Sequence, residues 1–452
     1  MVVAFGAISN AFSESGEIEW DVTLGTGIGT SVEETDDGGF IISGYFRAAG
    51  KPGEPEPLLI KTDSNGRKLW AKSYNQYGEA YSVHETIDGG FIICGGHIHG
   101  YLMKTDSSGY LTWINVLEEY CEFSSVELTD DGGFIISGEK SGQGLWLVKT
   151  DSQGNVEWSR TFEEAWLGKS VKQTSDGGYI ITSTNSFSDP IVFYIGLMKT
   201  NSAGFKEWDK MFNECYWAGG NSVQQTIDGG YILTGGIMDD LGNKNLILIK
   251  TDSLGNEEWN KIFGGTGNSV QQTIDGGYII TGSNEFDGGY RLLVIKTDSG
   301  GNEEWNRTFG ESVFNGGNSV QQTSDGSYII TGYTSGTTMP DAVIRLIKIK
   351  GSPPPLPCKW TGRWDTADWG EIELQQSDDL VTGSFLSGEG KIEGTVSGDK
   401  LTGTWSEAPT YSPPRHAGDL ELIMSKDCNS FSGNWRFGTS GDWFGEWNGM
   451  RI

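Results

Sequence analysis

Acidic residues and one histidine recur at the same two places of a short repeated segment. SVEET puts Glu33 and Glu34 there, SVHET puts His84 and Glu85, and SVELT puts Glu127. Near a central channel, acids that converge could bind a cation or act as general acid and base. Three later copies read SVQQT, whose amides can only hydrogen-bond. A hydrated polar channel lining would use the same side chains, and both readings stay open. His97 and His99 form an H-x-H pair at a strand end, a spacing able to ligate metal, although two histidines make an incomplete set. The loop D-S-x-G-N, as in DSLGN from Asp252, offers oxygen ligands for calcium. It lacks the spacing of an EF-hand, and a hairpin turn explains it equally. Calcium is therefore the one cofactor left open, and no other is called for. The five cysteines include no C-x-x-C, and Cys121 and Cys215 form no nucleophile dyad with a neighbouring base. Cys358 and Cys428 share the C-terminal region and could be bonded.

The elements that position these residues follow from their spacing. Ser-Val-x-x-Thr begins at Ser31, Ser82, Ser125, Ser170, Ser222, Ser269 and Ser319, between 43 and 52 residues apart. A period of about 40 to 50 residues is a propeller signature. Each copy holds four short runs; in the sixth they are NSVQQT, GYIITGS, RLLVIKTD and NEEWNRTFG. β-Branched and aromatic residues dominate the runs, Gly, Asp and Asn bound them, and none has a helical apolar period. Four antiparallel strands per repeat make one blade. Asp-Gly in IDGG predicts a tight hairpin with positive φ angles, and Gly and Asn in D-S-x-G-N predict left-handed positions in the second turn.

Closure follows from the tryptophan run, at Trp20, Trp70, Trp113, Trp158, Trp208, Trp259 and Trp305. The first, EIEWDVTLG, precedes every Ser-Val-x-x-Thr segment, and the seventh repeat runs into GSPPPLP without a tryptophan of its own. The N-terminal strand should therefore complete the last blade, removing exposed sheet edges, with the tryptophans packed between blades. The expected fold is all-β. Residues 17–351 form a seven-bladed β-propeller whose N-terminal strand closes the last blade, and 352–357 form a stiff proline-rich linker. Residues 358–452 form an eight-stranded antiparallel barrel, because eight short runs separated by Gly, Asp and Ser turns fit there. Seven of the 17 tryptophans crowd that region and either fill the barrel or surround one small ligand.

The hairpin KTDSLGNEEW resembles the Asp–turn–Gly–Trp docking motif of quinoprotein-like and BamB-like propellers, one residue shorter, over Glu17 to Gly351. Enzymes of that kind have eight blades, an acidic metal site beneath a quinone and often a vicinal disulfide. With seven copies and no adjacent cysteines here, the resemblance implies a propeller without quinone chemistry. The repeat is also similar to arrays in archaeal and bacterial surface proteins, which implies an extracellular or cell-surface location. WTGRW and WNGMRI are similar to the closing strands of avidin- and lipocalin-like barrels, a likeness that implies fold alone.

A formal charge of -29 repels phosphates and argues against nucleic acid as a partner. No run approaches the roughly 20 apolar residues of a membrane span, so membrane insertion is not expected. Residues 1–16, starting MVVAFGAISN, read as the remnant of a secretion signal or as a plain leader. Within each blade the two invariant turns share one face, so the variable connections share the other, where binding usually resides. Those connections carry Tyr77, Tyr81, Tyr120, Phe123, Trp166, Tyr216 and Trp217 beside acids. Exposed, such rings suit a sugar or a protein partner; folded inward, they cover the end of the core. The expectation is a non-enzymatic binding protein that recognises a glycan or a protein through this face, with His97, His99, Glu85 and Glu127 as polar members of the site. Two alternatives stand beside it: a glycan-acting hydrolase or lyase using Glu85 and Glu127, and a structural envelope or filament subunit. The oligomeric state is left open.

Overall fold

The computed structural model describes residues 16–47, 55–74, 77–97, 99–119, 121–163, 167–188, 191–286, 288–310, 314–336, 341–351, 359–366, 370–385, 389–397, 400–408, 410–413, 416–425, 430–440, 442–443 and 445–452. The chain divides into two compact units, Met1–Ser352 and Pro353–Ile452. Residues 1–15 of the leader, Tyr120, Trp166, Cys358 and Cys428 lie outside the described residues.

Among the described residues the first unit contains five four-stranded antiparallel sheets and one eight-stranded sheet, which is two further four-stranded blades joined by a single bridge. Blades 1 to 6 take residues 28–73, 79–119, 121–162, 167–215, 218–264 and 266–309. Blade 7 takes three strands from residues 314–349, and its fourth is Ile18–Thr26, the first strand of the chain. That strand pairs with Val343–Ile349, with Trp20 opposite Lys348, and Lys350 N–H continues the ladder onto Glu17 O. Blades 6 and 7 also share one bridge, Tyr290 with Phe314.

The second and third strands of each blade are apolar on both faces because each face packs against a neighbouring blade. FIISG from Phe40 and YIITG from Tyr278 are buried throughout. Outer strands such as EEWNKIFG alternate exposed and half-buried residues, as one covered face requires. Clusters of buried residues consequently draw side chains from two blades each; one holds Ile232, Leu246 and Leu248 with Val270, Tyr278 and Ile280.

The tryptophans bind each blade to the next. Trp208 lies over Gly255 in the following blade's outer turn, where an added Cβ would stand 2.5 Å from the indole. The same pairing recurs as Trp20–Gly66, Trp70–Gly109, Trp113–Gly154, Trp158–Gly204, Trp259–Gly301 and Trp305–Gly16. Each indole also tilts against the first aromatic of that blade's second strand, with centroids 5.8–6.5 Å apart, as in Trp208–Tyr231 and Trp113–Phe134. Gly16, just before the N-terminal strand that completes blade 7, receives Trp305 of blade 6, so the docking runs unbroken around the ring.

Both invariant turns differ from the sequence expectation. In the first, Gly38 N–H closes on Thr35 O and Thr35 N–H on Gly39 O. Only Gly38 takes a positive φ, +75°, so the loop is a β-turn followed by one left-handed glycine. The aspartate acts through its side chain. Asp37 accepts from the Thr35 hydroxyl, Gly39 N–H and the Lys61 ammonium at 2.7–2.9 Å. Equivalent lysines in all seven blades are 2–8% exposed, and those of blades 3 to 6 also bind Glu157, Glu207, Glu258 and Glu304. Burial opposes ionisation of Asp37, Asp131 and Asp176, but lysine and threonine hydrogen bonds win and hold them at about 2. In the D-S-x-G-N turn, Asp252 accepts from Leu254 and Asn256 N–H, and Asn256 Nδ2 reaches its other oxygen. The glycine alone is left-handed there too, and the asparagine is not.

In the second unit, eight strands close in the order Gly362–Thr366, Gly370–Ser377, Leu380–Phe385, Gly390–Ser397, Lys400–Glu407, Ala417–Met424, Ser430–Trp435 and Gly449–Arg451, the last pairing back with the first. It is a closed antiparallel barrel. Its interior holds Trp360, Trp364, Trp405 and Trp447 among Ile, Leu and Phe side chains, each 3% exposed or less.

Candidate functional site

Every innermost strand carries a β-bulge at the same place, immediately before its serine. An extra residue opposite one partner bends the strand and re-aims its side chain. The seven bulge residues are Thr30, Tyr81, Ser124, Lys169, Asn221, Asn268 and Asn318, and all seven line one cavity of about 430 Å³. Tyr45, Tyr333 and Glu122 complete the wall, with the seven serines below. Five of the bulges follow a glycine. A Cβ on Gly267 would stand 2.2 Å from Thr234 Oγ1 of the preceding blade, so the close approach of neighbouring blades demands glycine there. The cavity opens where the innermost strands begin, at the end of the ring that carries the variable connections.

The two halves of this wall differ. In blades 5, 6 and 7 the bulge residue is asparagine, whose Nδ2 donates to the next blade's backbone: Asn221 to Gly267 O, Asn268 to Gly317 O and Asn318 to Gly29 O, at 2.7–2.9 Å. Each amide is locked by that bond, which leaves Oδ1 as its acceptor. Blades 2 to 4 instead bring Tyr81, Glu122 and Lys169. The Glu122 carboxylate lies against the Tyr81 hydroxyl; burial first, then Glu122 and Glu79, raise that phenol's pKa and keep it neutral. Burial lowers the Lys169 pKa, while Glu122 and Glu139 favour its ammonium. Glu122 and Glu139 sit directly opposite each other on adjacent strands, and burial followed by the Glu122 charge raises the Glu139 pKa. Like charges so placed destabilise a sheet unless something compensates, and Lys169 does so in part.

Below the bulge residues lies the serine ring. Serine Oγ atoms accept from the next blade's valine N–H, for example Ser222 from Val270 at 3.2 Å and Ser319 from Val32 at 3.3 Å. Beneath them lies a chamber of about 190 Å³. Its charged side is a chain of ion pairs. His84 Nδ1 is 2.8 Å from Glu33, His84 Nε2 is 3.4 Å from Glu127, and Lys172 also binds Glu127. Burial lowers the His84 pKa, but Glu33 and Glu127 outweigh it and the net shift is upward. Burial likewise opposes ionisation of Glu127, and Lys172 and His84 overcome it, so its pKa is lowered. On the amide side Gln224 and Gln271 accept from the backbone N–H of Gln272 and Gln322 in the following blades.

The residues singled out in the sequence divide accordingly. Tyr81 lines the mouth and Glu127 the chamber's ion-pair chain. Tyr216 and Trp217 lie on the variable connection of blade 5, 79% and 37% exposed. The expectation for Phe123 is corrected: it is fully buried and stacks on Trp146 at 5.2 Å, because it occupies the place that glycine holds in other blades. Tyr77 is half-buried against Tyr101, inside the core of blades 1 and 2. Glu85 does not join Glu127 in the ion-pair chain. Alternation along the strand turns it away, and its carboxylate accepts Asp36 N–H of blade 1 at 2.7 Å, a clasp repeated by Gln173, Gln225, Gln272 and Gln322. His97 and His99 do not converge on one point: His97 Nδ1 stands 3.3 Å from Glu79, and His99 is exposed and pairs in the ladder with Glu119. Among the described residues no group of three or more His, Cys, Asp and Glu side chains is placed to hold a metal ion. Reading the segment from its serine onward missed Lys169, Asn221, Asn268 and Asn318. The signal was the residue between glycine and serine in G-x-S-V.

The fold is that of the β-propellers with an added small barrel. No protein-family model and no curated protein matches the chain. Among solved structures it is similar to a streptogramin B lyase at 10% identity and TM-score 0.51, covering 73% of this chain and 97% of that one. It is also similar to a catalytically inactive virginiamycin B lyase from Staphylococcus aureus with quinupristin, at 8% identity and TM-score 0.51, covering 72% and 98%. The WD40 domain of Neurospora crassa Pan2 follows at 10% identity, TM-score 0.48, 73% and 90%. At these identities the likeness is one of fold.

Proposed function

We propose that this is a secreted or cell-surface binding protein without catalytic activity, which recognises a glycan at the axial mouth of its propeller. The carrying observation is the bulge ring: seven blades aim one side chain each into a single cavity of about 430 Å³. That size lies within the usual range for small-ligand sites. Tyrosine rings flank it, and amides, serines, a carboxylate and an ammonium face inward, a mixture that suits a hydroxyl-rich ring. The acidic surface and the resemblance to surface arrays support the location. The hydrolase alternative needs Glu85 and Glu127 to cooperate. Glu85 is engaged with Asp36 N–H and Glu127 with Lys172, which leaves the pair without a shared substrate position.

A protein partner is the second reading, favoured by Tyr216, Trp217 and Phe286 standing exposed on connections of the same face. A glycan array probed with the purified chain and with Tyr81→Ala and Tyr216→Ala variants separates them. Signal lost with Tyr81→Ala and kept with Tyr216→Ala supports the mouth. An array without signal removes the glycan reading.

A further inference from the structure

We infer that the mouth is an end-reading well: it takes the terminal pyranose of a neutral glycan chain and excludes internal units. The inference rests on the glycan reading above and deepens it. The cavity sits on the ring axis with a bulge residue from each of the seven blades around it, and its side is interrupted by a recess at the seam of blades 7 and 1. A groove admits the middle of a chain; a walled well admits only an end. Its floor is the serine ring, shared with the chamber beneath, which at about 190 Å³ is less than half the size of the well and carries ion pairs along one side. The ligand therefore stops at the serines.

The hydrogen-bond inventory selects the chemistry. Asn221, Asn268 and Asn318 each give one N–H to the next blade, which fixes the amide and leaves its carbonyl oxygen and a second N–H for a ligand. Thr30 likewise donates its hydroxyl to Ala80 O. Glu122 adds a carboxylate on the opposite wall. With the serine hydroxyls and the remaining amide N–H groups as donors beside these acceptors, the wall suits a ligand that both donates and accepts, and a pyranose supplies several hydroxyls at different azimuths. An anionic sugar would turn its own lone pairs toward these oxygens, with Lys169 as the single lining ammonium. A second recess of about 370 Å³ shares Ile28 and Tyr45 with the well and runs past Phe46 and Arg47 to Ala342. It gives the next sugar unit a way out at the seam of blades 7 and 1.

Saturation-transfer NMR with the full chain tests this, using maltohexaose, cellohexaose, mannohexaose and a galactan hexamer, with cyclic maltohexaose (α-cyclodextrin) and oligogalacturonate as counter-probes. The expected result is binding of at least one linear neutral chain with saturation concentrated on one terminal ring. Affinity should fall about tenfold in Glu122→Gln, with an unchanged melting temperature. Cyclic maltohexaose and oligogalacturonate should not bind. Saturation spread evenly over internal rings, or equal binding of the cyclic chain, overturns end recognition and leaves the glycan reading standing. Preference for oligogalacturonate overturns the neutral-ligand assignment. Unchanged affinity in Glu122→Gln overturns the well as the place of binding. Silence from every sugar removes the underlying reading itself.

Discussion

Substituting alanine at Gly255 measures the tryptophan docking that closes the ring. Gly255 has φ +75°, and its added Cβ would stand 2.5 and 2.7 Å from two Trp208 ring carbons, closer than any real contact. Gly229, in the first turn of the same blade, has φ +84° and nothing within 4 Å of the same atom. The two positions share the backbone penalty and differ in the indole. A left-handed alanine costs about 1–2 kcal/mol, partly offset by the stiffer unfolded chain, so Gly229→Ala should destabilise by about 1 kcal/mol. Gly255→Ala adds an overpacking term of about 1–3 kcal/mol, for a total of about 2–4 kcal/mol. Urea unfolding followed by intrinsic tryptophan fluorescence reads the difference. If Gly255→Ala costs no more than Gly229→Ala, the indole–glycine contact is not what holds blade 4 to blade 5, and the docking argument fails with it.

Three further outcomes follow from other parts of the ring. Asp37, Asp88, Asp131 and Asp176 have folded pKa values near 2 against an ordinary 3.8, so their stabilisation is complete above pH 4 and is lost as pH falls toward 2. Solvent screening keeps each below about 1 kcal/mol, and a melting temperature that falls steeply across that window in circular dichroism is expected. Asp228→Ala strips an acceptor from Gly230 N–H, the Thr226 hydroxyl and the buried Lys250 ammonium, and should cost about 2 kcal/mol by chemical denaturation. His84 has a folded pKa above its ordinary 6.5, so its stabilisation is full below pH 6.5 and disappears as pH rises through the folded value. His84→Gln should therefore flatten the fall of the melting temperature as pH rises above 6.5, whereas an unchanged slope would place that proton elsewhere.

Much of the architecture was legible before any coordinates, for reasons that particular residues make plain. The repeat period, the Asp-Gly turns and the tryptophan strand are local signals, and the missing tryptophan after Ser319 required the first strand to finish the last blade. The buried lysine of each K-T-D triplet was not legible. A lysine beside threonine and aspartate reads as surface, and only the neighbouring blade and the preceding turn show that it is enclosed and matched by carboxylates.

The candidate site divides in the same way. Aromatic type says nothing about direction, so Tyr81 and Phe123 looked alike, although a bulge turns one into the mouth and packing drives the other into the core. Glu85 and Glu127 occupy adjacent places of the repeated segment, and strand alternation with blade spacing sends one to a clasp and the other to the channel. Composition and period determined how many blades form and how the ring closes, because those depend on neighbours along the chain. Which seven side chains face one another was decided only by the ring, because residues some 50 positions apart meet there solely through its symmetry.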